Sequence, residues 1–134
     1  MLSSFLQQIP RHNRPNYWVI TSQSLTDLRR QEVRHAFDAK PDGLFGSVLA
    51  LLTMSSGVRV TGLDVEQRIW YGQICTPVCR FVDDLGFTVW ESDGISHYIL
   101  YSKSRIGYWD LGANRRRLHK VMMRIESLYA ELSG

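Results

Sequence analysis

The chain has little cysteine, little lysine and no long apolar run. Cys75 and Cys79 are its only two cysteines, in a Cys-x3-Cys spacing. A disulfide scaffold uses more of them, set wider apart. A zinc site needs two further ligands close by; His97 is the nearest, and His12, His35 and His119 are scattered. No metal or cofactor is therefore expected. The longest apolar stretch, 44–54, is interrupted by Gly46 and Ser47 and falls well short of the roughly 20 residues that span a bilayer. The N-terminal residues lack a basic start followed by an apolar core, so the cytoplasm is the expected compartment. There is no phosphate loop, no Gly-x-Ser-x-Gly elbow and no His-Glu-x-x-His helix. The adjacent Asp83 and Asp84, read as helical, point about 100° apart and make no acid–base pair. A protein without catalytic activity is expected.

What is present is one domain's worth of chain. Its 134 residues are 44% apolar and 22% charged, a globular composition. The net charge of +3 is unevenly spread. Residues 1–40 and 103–134 are basic, and 41–102 carry three cations against seven carboxylates. Thirteen of the sixteen cations are arginine, whose planar fork suits phosphate and carboxylate; codon bias in a GC-rich genome accounts for the same excess.

Residues 1–16 read as a turn-rich basic arm, followed by a β-branched and aromatic strand at 17–21. Ser24 and Asp27 signal a helix over 25–39. A second, densely apolar helix is expected at 44–54, ahead of a short extended piece at 58–60. Thr61 and Asp64 suggest a third helix over 62–70. Thr76 and Pro77 suggest a fourth over 77–85, stopped by Gly86. Asp93-Gly94 between alternating apolar residues signals a hairpin over 87–101. Leu118, Val121, Met122, Ile125, Leu128, Tyr129 and Leu132 recur at helical spacing over 114–132. Their stripe either packs on the chain's own core or pairs two copies as a homodimer. The segments 1–40, 41–102 and 103–134 are expected to form one compact domain, mostly α with a small β-hairpin.

The run 48–52, then 58–65, then Val78-Cys79-Arg80-Phe81-Val82-Asp83-Asp84-Leu85-Gly86-Phe87, then Tyr98-Ile99-Leu100 resembles a winged helix-turn-helix domain over residues 44–102. The resemblance implies that helix 77–85 enters the major groove of DNA and that the hairpin wing touches its backbone. Gln73, Thr76 and Arg80 would then lie near bases, with Arg80 placed to bond a guanine edge. The plainer fate of Arg80 is a surface ion pair with Asp83 or Asp84.

Two functions follow as expectations. The first is a DNA-binding regulator, with Arg115, Arg116, Arg117, Lys120 and Arg124 holding phosphates. Cations at a helix N-terminus oppose the helix dipole, which hints at a partner for them. The second is a protein-binding adaptor or inhibitor that turns Asp83, Asp84, Glu91 and Asp93 toward a basic partner. A weaker third reading stacks single-stranded bases on Trp18, Trp90, Tyr108 and Trp109; packing is the commoner fate of such rings.

Overall fold

The computed structural model describes residues 2–55, 57–75 and 81–133, with the backbone alone at 130–133. The elements run α1 (Leu2–Gln7), β1 (Tyr17–Thr21), β2 (Gln31–Val33), α2 (Pro41–Thr53), β3 (Val58–Asp64), β4 (Ile69–Cys75), β5 (Val82–Ser92), β6 (Ile95–Ser104) and α3 (Ala113–Ser133). The six strands form one sheet in the order β2-β1-β6-β5-β4-β3. β1 and β2 are parallel, and every other pairing is antiparallel.

Alternation along the strands builds two cores. Trp70, Leu85, Phe87, Val89, Tyr98 and Leu100 point to the face covered by α2 and α3. Helix α2 starts with Pro41 in its first turn, where the missing amide hydrogen costs nothing. It buries Leu44, Phe45, Val48 and Leu52, with Phe45 stacked on Phe87 at 6.0 Å. Helix α3 adds Leu118, Met122 and Ile125. Each such side chain contributes about 1.5–3 kcal/mol on burial. Tyr17, Val19, Ile69, Ile99 and Tyr101 face the other way, under Phe5, Ile9 and Leu28.

This architecture overturns the winged helix-turn-helix resemblance and the mostly α fold class: the described residues form a six-stranded mixed sheet with three helices. The segment read as a helix at 62–70 belongs to the β3–β4 hairpin. β3 is an edge strand exposed along most of its length, so burial imposes no alternation on its sequence. A register shift at Val60 and Gly62 breaks the pattern further. The Asp64 carboxylate does cap, but it accepts the Gln67 amide in a hairpin turn (3.0 Å). The presumed recognition helix 77–85 is strand from Val82 onward; 76–80, with Thr76 and Arg80, lies outside the described residues. The expected helix 25–39 is replaced by turns and by β2. There the Gln31 side chain closes the turn by bonding Leu25 N and O (2.8 and 2.9 Å), and β2 pairs with β1, a tertiary contact that outweighs local helix propensity. The strand at 17–21, a helix spanning most of 44–54, the hairpin and the C-terminal helix coincide with β1, α2, β5–β6 and α3.

Polar contacts hold β2 to α3. Glu32 accepts from His119 Nε2 (2.8 Å) and from Arg34 Nε, and Arg34 also pairs with Glu126 (2.6 Å). Burial pushes the Glu32 carboxyl up, but the hydrogen bonds from His119 and Arg34 outweigh it and hold it below its usual range. The pair therefore stabilises fully above the unfolded carboxyl pKa and is lost as pH falls through the lower folded value. Below about pH 4, hydrogen exchange at the β1–β2 amides is expected to accelerate before that of β5–β6. Glu32→Gln should remove this pH dependence; equal acceleration in both strand pairs would show that Glu32 is not the latch.

Candidate functional site

Helix α3 carries Arg116, Lys120 and Arg124 at i, i+4 and i+8, a spacing that sets side chains on one face. That face turns toward the C-terminal end of α2. Leu51 and Ser55 complete a groove of about 330 Å³ with Ala113, Arg117 and Val121. Arg116, Lys120 and Arg124 are exposed. Among the described residues none of the three forms an ion pair, and no carboxylate lines the groove.

Arg117 has a different role. Its Nη1 nitrogen forms an ion pair with Asp83 Oδ2 (2.9 Å) and donates to Ser102 Oγ (2.9 Å) and Asn114 Oδ1 (3.1 Å). Asp83, Ser102 and Asn114 are all buried. Asn114 Nδ2 donates onward to Asp110 Oδ2 (2.6 Å), Ser104 Oγ (2.9 Å) and the Asn16 carbonyl (3.0 Å). This network ties the first turn of α3 to β5, β6 and the start of β1. It fixes the wall of the groove and uses up the Arg117 charge within the chain.

The other residues expected to bind nucleic acid are not gathered here. Arg115 lies over the Trp18 ring, 4.8 Å from its centroid. Gln73 sits on β4 opposite Asp84 and lines a separate cleft of about 280 Å³ with Lys103, Arg105 and Tyr71. Thr76 and Arg80 lie outside the described residues.

The four carboxylates proposed for a basic partner are also spread out. Asp83 is buried against Arg117, and Asp84 makes a two-armed pair with Arg105 (2.9 and 2.9 Å). As strand neighbours they point to opposite faces. Glu91 and Asp93 are exposed near the β5–β6 turn, roughly 20–30 Å along the strand from Asp84. On the apolar stripe, Leu118, Met122 and Ile125 are buried in the chain's own core, with Val121 and Tyr129 packed against it. Leu128 is half-buried, and the Leu132 side chain lies outside those described.

Sequence reasoning missed Leu51 and Ser55 as the facing wall of the groove. It also missed the inward turn of Arg117. Asp83 gave a signal for the latter, because it alternates with the buried Leu85, Phe87 and Val89; a carboxylate at an inward strand position calls for a buried cation. Among the described residues, no group of three or more His, Cys, Asp or Glu is placed to hold a metal ion. No described helix is long and apolar enough to cross a membrane.

Residues 13–125 match the family described as "Protein of unknown function (DUF1499)", and the chain belongs to that family. No curated protein matches the chain.

Proposed function

We propose that this domain is a non-catalytic binding module whose α2–α3 groove takes a phosphate-bearing ligand. The observation that carries the reading is the convergence of Arg116, Lys120 and Arg124 on one concave surface without a lining carboxylate among the described residues. Charge-assisted hydrogen bonds to phosphate are among the stronger polar contacts. The Leu51 and Val121 side chains give the groove an apolar wall beside its charges. A volume near 330 Å³ is within the range of small-ligand sites. It fits one or two phosphate groups better than a duplex, which contacts a protein through many phosphates at once. The cytoplasm is the compartment proposed, since phosphate esters and an anionic membrane leaflet are both found there.

The test is calorimetric titration with inorganic pyrophosphate at low and moderate salt, with a labelled random DNA duplex in parallel. The expected result is binding that weakens with salt and falls about tenfold or more in the triple variant Arg116→Ala, Lys120→Ala, Arg124→Ala, as the loss of one or more charge-assisted bonds requires. The variant should melt close to the parent, because all three side chains are exposed and the one hydrogen bond removed, from Arg116 to the Leu111 carbonyl, is solvent-exposed. Absence of pyrophosphate binding at low salt overturns the proposal. Duplex binding that far exceeds pyrophosphate binding and is lost in the same variant would return the groove to nucleic acid.

A further inference from the structure

The turn that joins β6 to α3 gathers four exposed apolar side chains. Ile106, Tyr108, Trp109 and Leu111 are 66%, 69%, 64% and 63% exposed, all within six residues of sequence. Exposed apolar side chains scattered singly need no explanation, but a cluster marks an interaction site. The turn is also held in place. Asn16 Nδ2 donates to the Gly107 carbonyl (2.7 Å), and the Asp110 amide donates to the Pro15 carbonyl (3.1 Å). The Asp110 carboxylate takes the Gly112 amide (2.7 Å) and Asn114 Nδ2 (2.6 Å). These bonds fix the backbone from inside while the four apolar side chains point outward.

Charge around the turn has one dominant sign. Residues 105–124 contain six cations and one carboxylate, Asp110, which is occupied by the internal bonds just described; Arg105 and Arg117 are paired within the chain with Asp84 and Asp83, which leaves Arg115, Arg116, Lys120 and Arg124 to carry the excess positive charge. Arg105 and Arg115 flank the turn in sequence. The segment 10–16, bonded to the turn through Pro15 and Asn16, brings the exposed Arg11 and Arg14. Arg116 belongs to both features: it lines the groove and donates to the Leu111 carbonyl (2.7 Å).

We propose that this turn docks the domain on an anionic lipid surface, with Ile106, Tyr108, Trp109 and Leu111 entering the interface and a lipid headgroup phosphate lying in the α2–α3 groove. Trp and Tyr have an apolar body and a polar tip, which suits the headgroup layer. Buried apolar area combined with a basic patch is what holds a domain on an anionic bilayer without a spanning helix. The headgroup part rests on the phosphate-binding reading of the groove, whereas the apolar turn stands independently of it.

The experiment is co-sedimentation of the full chain with phosphatidylglycerol-containing or pure phosphatidylcholine vesicles, alongside the pyrophosphate titration. The parent should partition onto anionic vesicles at low salt about tenfold more strongly than onto neutral ones. The double variant Ile106→Ser, Trp109→Ser should lose about tenfold in vesicle binding while keeping the parent's pyrophosphate affinity. The groove triple variant should lose both. Brominated lipid should quench tryptophan emission in the parent and lose most of that effect in Trp109→Ser. Pyrophosphate binding without vesicle binding overturns the lipid proposal and leaves the groove reading intact. Vesicle binding that depends on the turn, without pyrophosphate binding, overturns the groove reading and the headgroup placement while keeping the docking turn. Vesicle binding equal in the parent and the turn variant overturns the docking role. A concentration-dependent dimer abolished by the turn variant, with no vesicle binding, would assign the turn to contact between two copies and overturn the proposal.

Discussion

Arg117→Ala is expected to destabilise the domain by about 3 kcal/mol, the lower end of the range for breaking a buried ion pair. The partner decides the cost. Asp83 is 4% exposed, and Arg117 is the only cation that the described structure pairs with it. Without the guanidinium, the carboxylate is left beside Ser102 and Asn114 in a poorly hydrated site. The lower end applies because the Arg117 side chain keeps 20% of its exposure, so water reaches part of the gap. Arg117→Lys should recover only part of the loss: the three oxygens all lie around one terminal nitrogen, Nη1, and an ammonium on the shorter lysine stem reaches that position only by shifting the side chain. The double change Asp83→Leu, Arg117→Met removes both charges and should lie closer to the parent than either single loss, as apolar replacement of buried pairs often does. Urea unfolding of Arg117→Ala, Arg117→Lys, Asp83→Leu and the double change measures this. A loss below about 1 kcal/mol in Arg117→Ala would place the pair in the class of weak surface contacts. The same reasoning decides which cations report on ligand binding. Alanine at Arg115, Arg116 and Arg117 together would unfold part of the population and mimic a loss of binding, whereas Arg116, Lys120 and Arg124 can be removed without touching the network.

Elements whose burial repeats with their own period were legible in the sequence. Tyr17–Thr21, the apolar helix before Met54, the Asp93-Gly94 hairpin and the stripe from Leu118 to Tyr129 all pack one face on a core, so their periodicity carries the structure. β3 could not be read this way, because an edge strand with little burial places no such demand on its residues. β5 misled for another reason. Within the strand, Val82 and Leu85 fall at helical spacing by coincidence, whereas Leu85, Phe87 and Val89 follow the period of two that the sheet enforces. In the groove, the i, i+4, i+8 cations were legible as one face of a helix. The division of labour between Arg116 and its neighbour Arg117 depends on Asp83, which lies far away in sequence. The exposed turn was seen only in part: Tyr108 and Trp109 stood out as aromatics, but Ile106 and Leu111 join them only once the β6–α3 connection is in place.

Gly86→Ala is expected to cost about 2–3 kcal/mol, an overpacking penalty set by one ring. Gly86 on β5 pairs directly with Tyr101 on β6. A Cβ at Gly86 would fall 2.1 Å from Cε2 of the Tyr101 ring and 2.4 Å from its Cζ. The ring has little room to retreat: Tyr101 is 2% exposed, and Phe5 packs against it at 5.3 Å. Tyr101→Leu removes the obstructing atoms and should destabilise by itself through lost packing. Combined with Gly86→Ala, it should cost clearly less than the sum of the two changes, because the clash exists only when both side chains are present. Gly43→Ala provides the contrast. Gly43 lies inside α2 with nothing within 4 Å of an added Cβ, so alanine should stabilise by up to about 1 kcal/mol through helix propensity alone. Thermal and urea unfolding of the four variants would test the argument, and additive losses for Gly86→Ala and Tyr101→Leu would show that the ring does not lie over the glycine. The second core would then be packed differently from the arrangement in which α1, through Phe5, closes over β5 and β6.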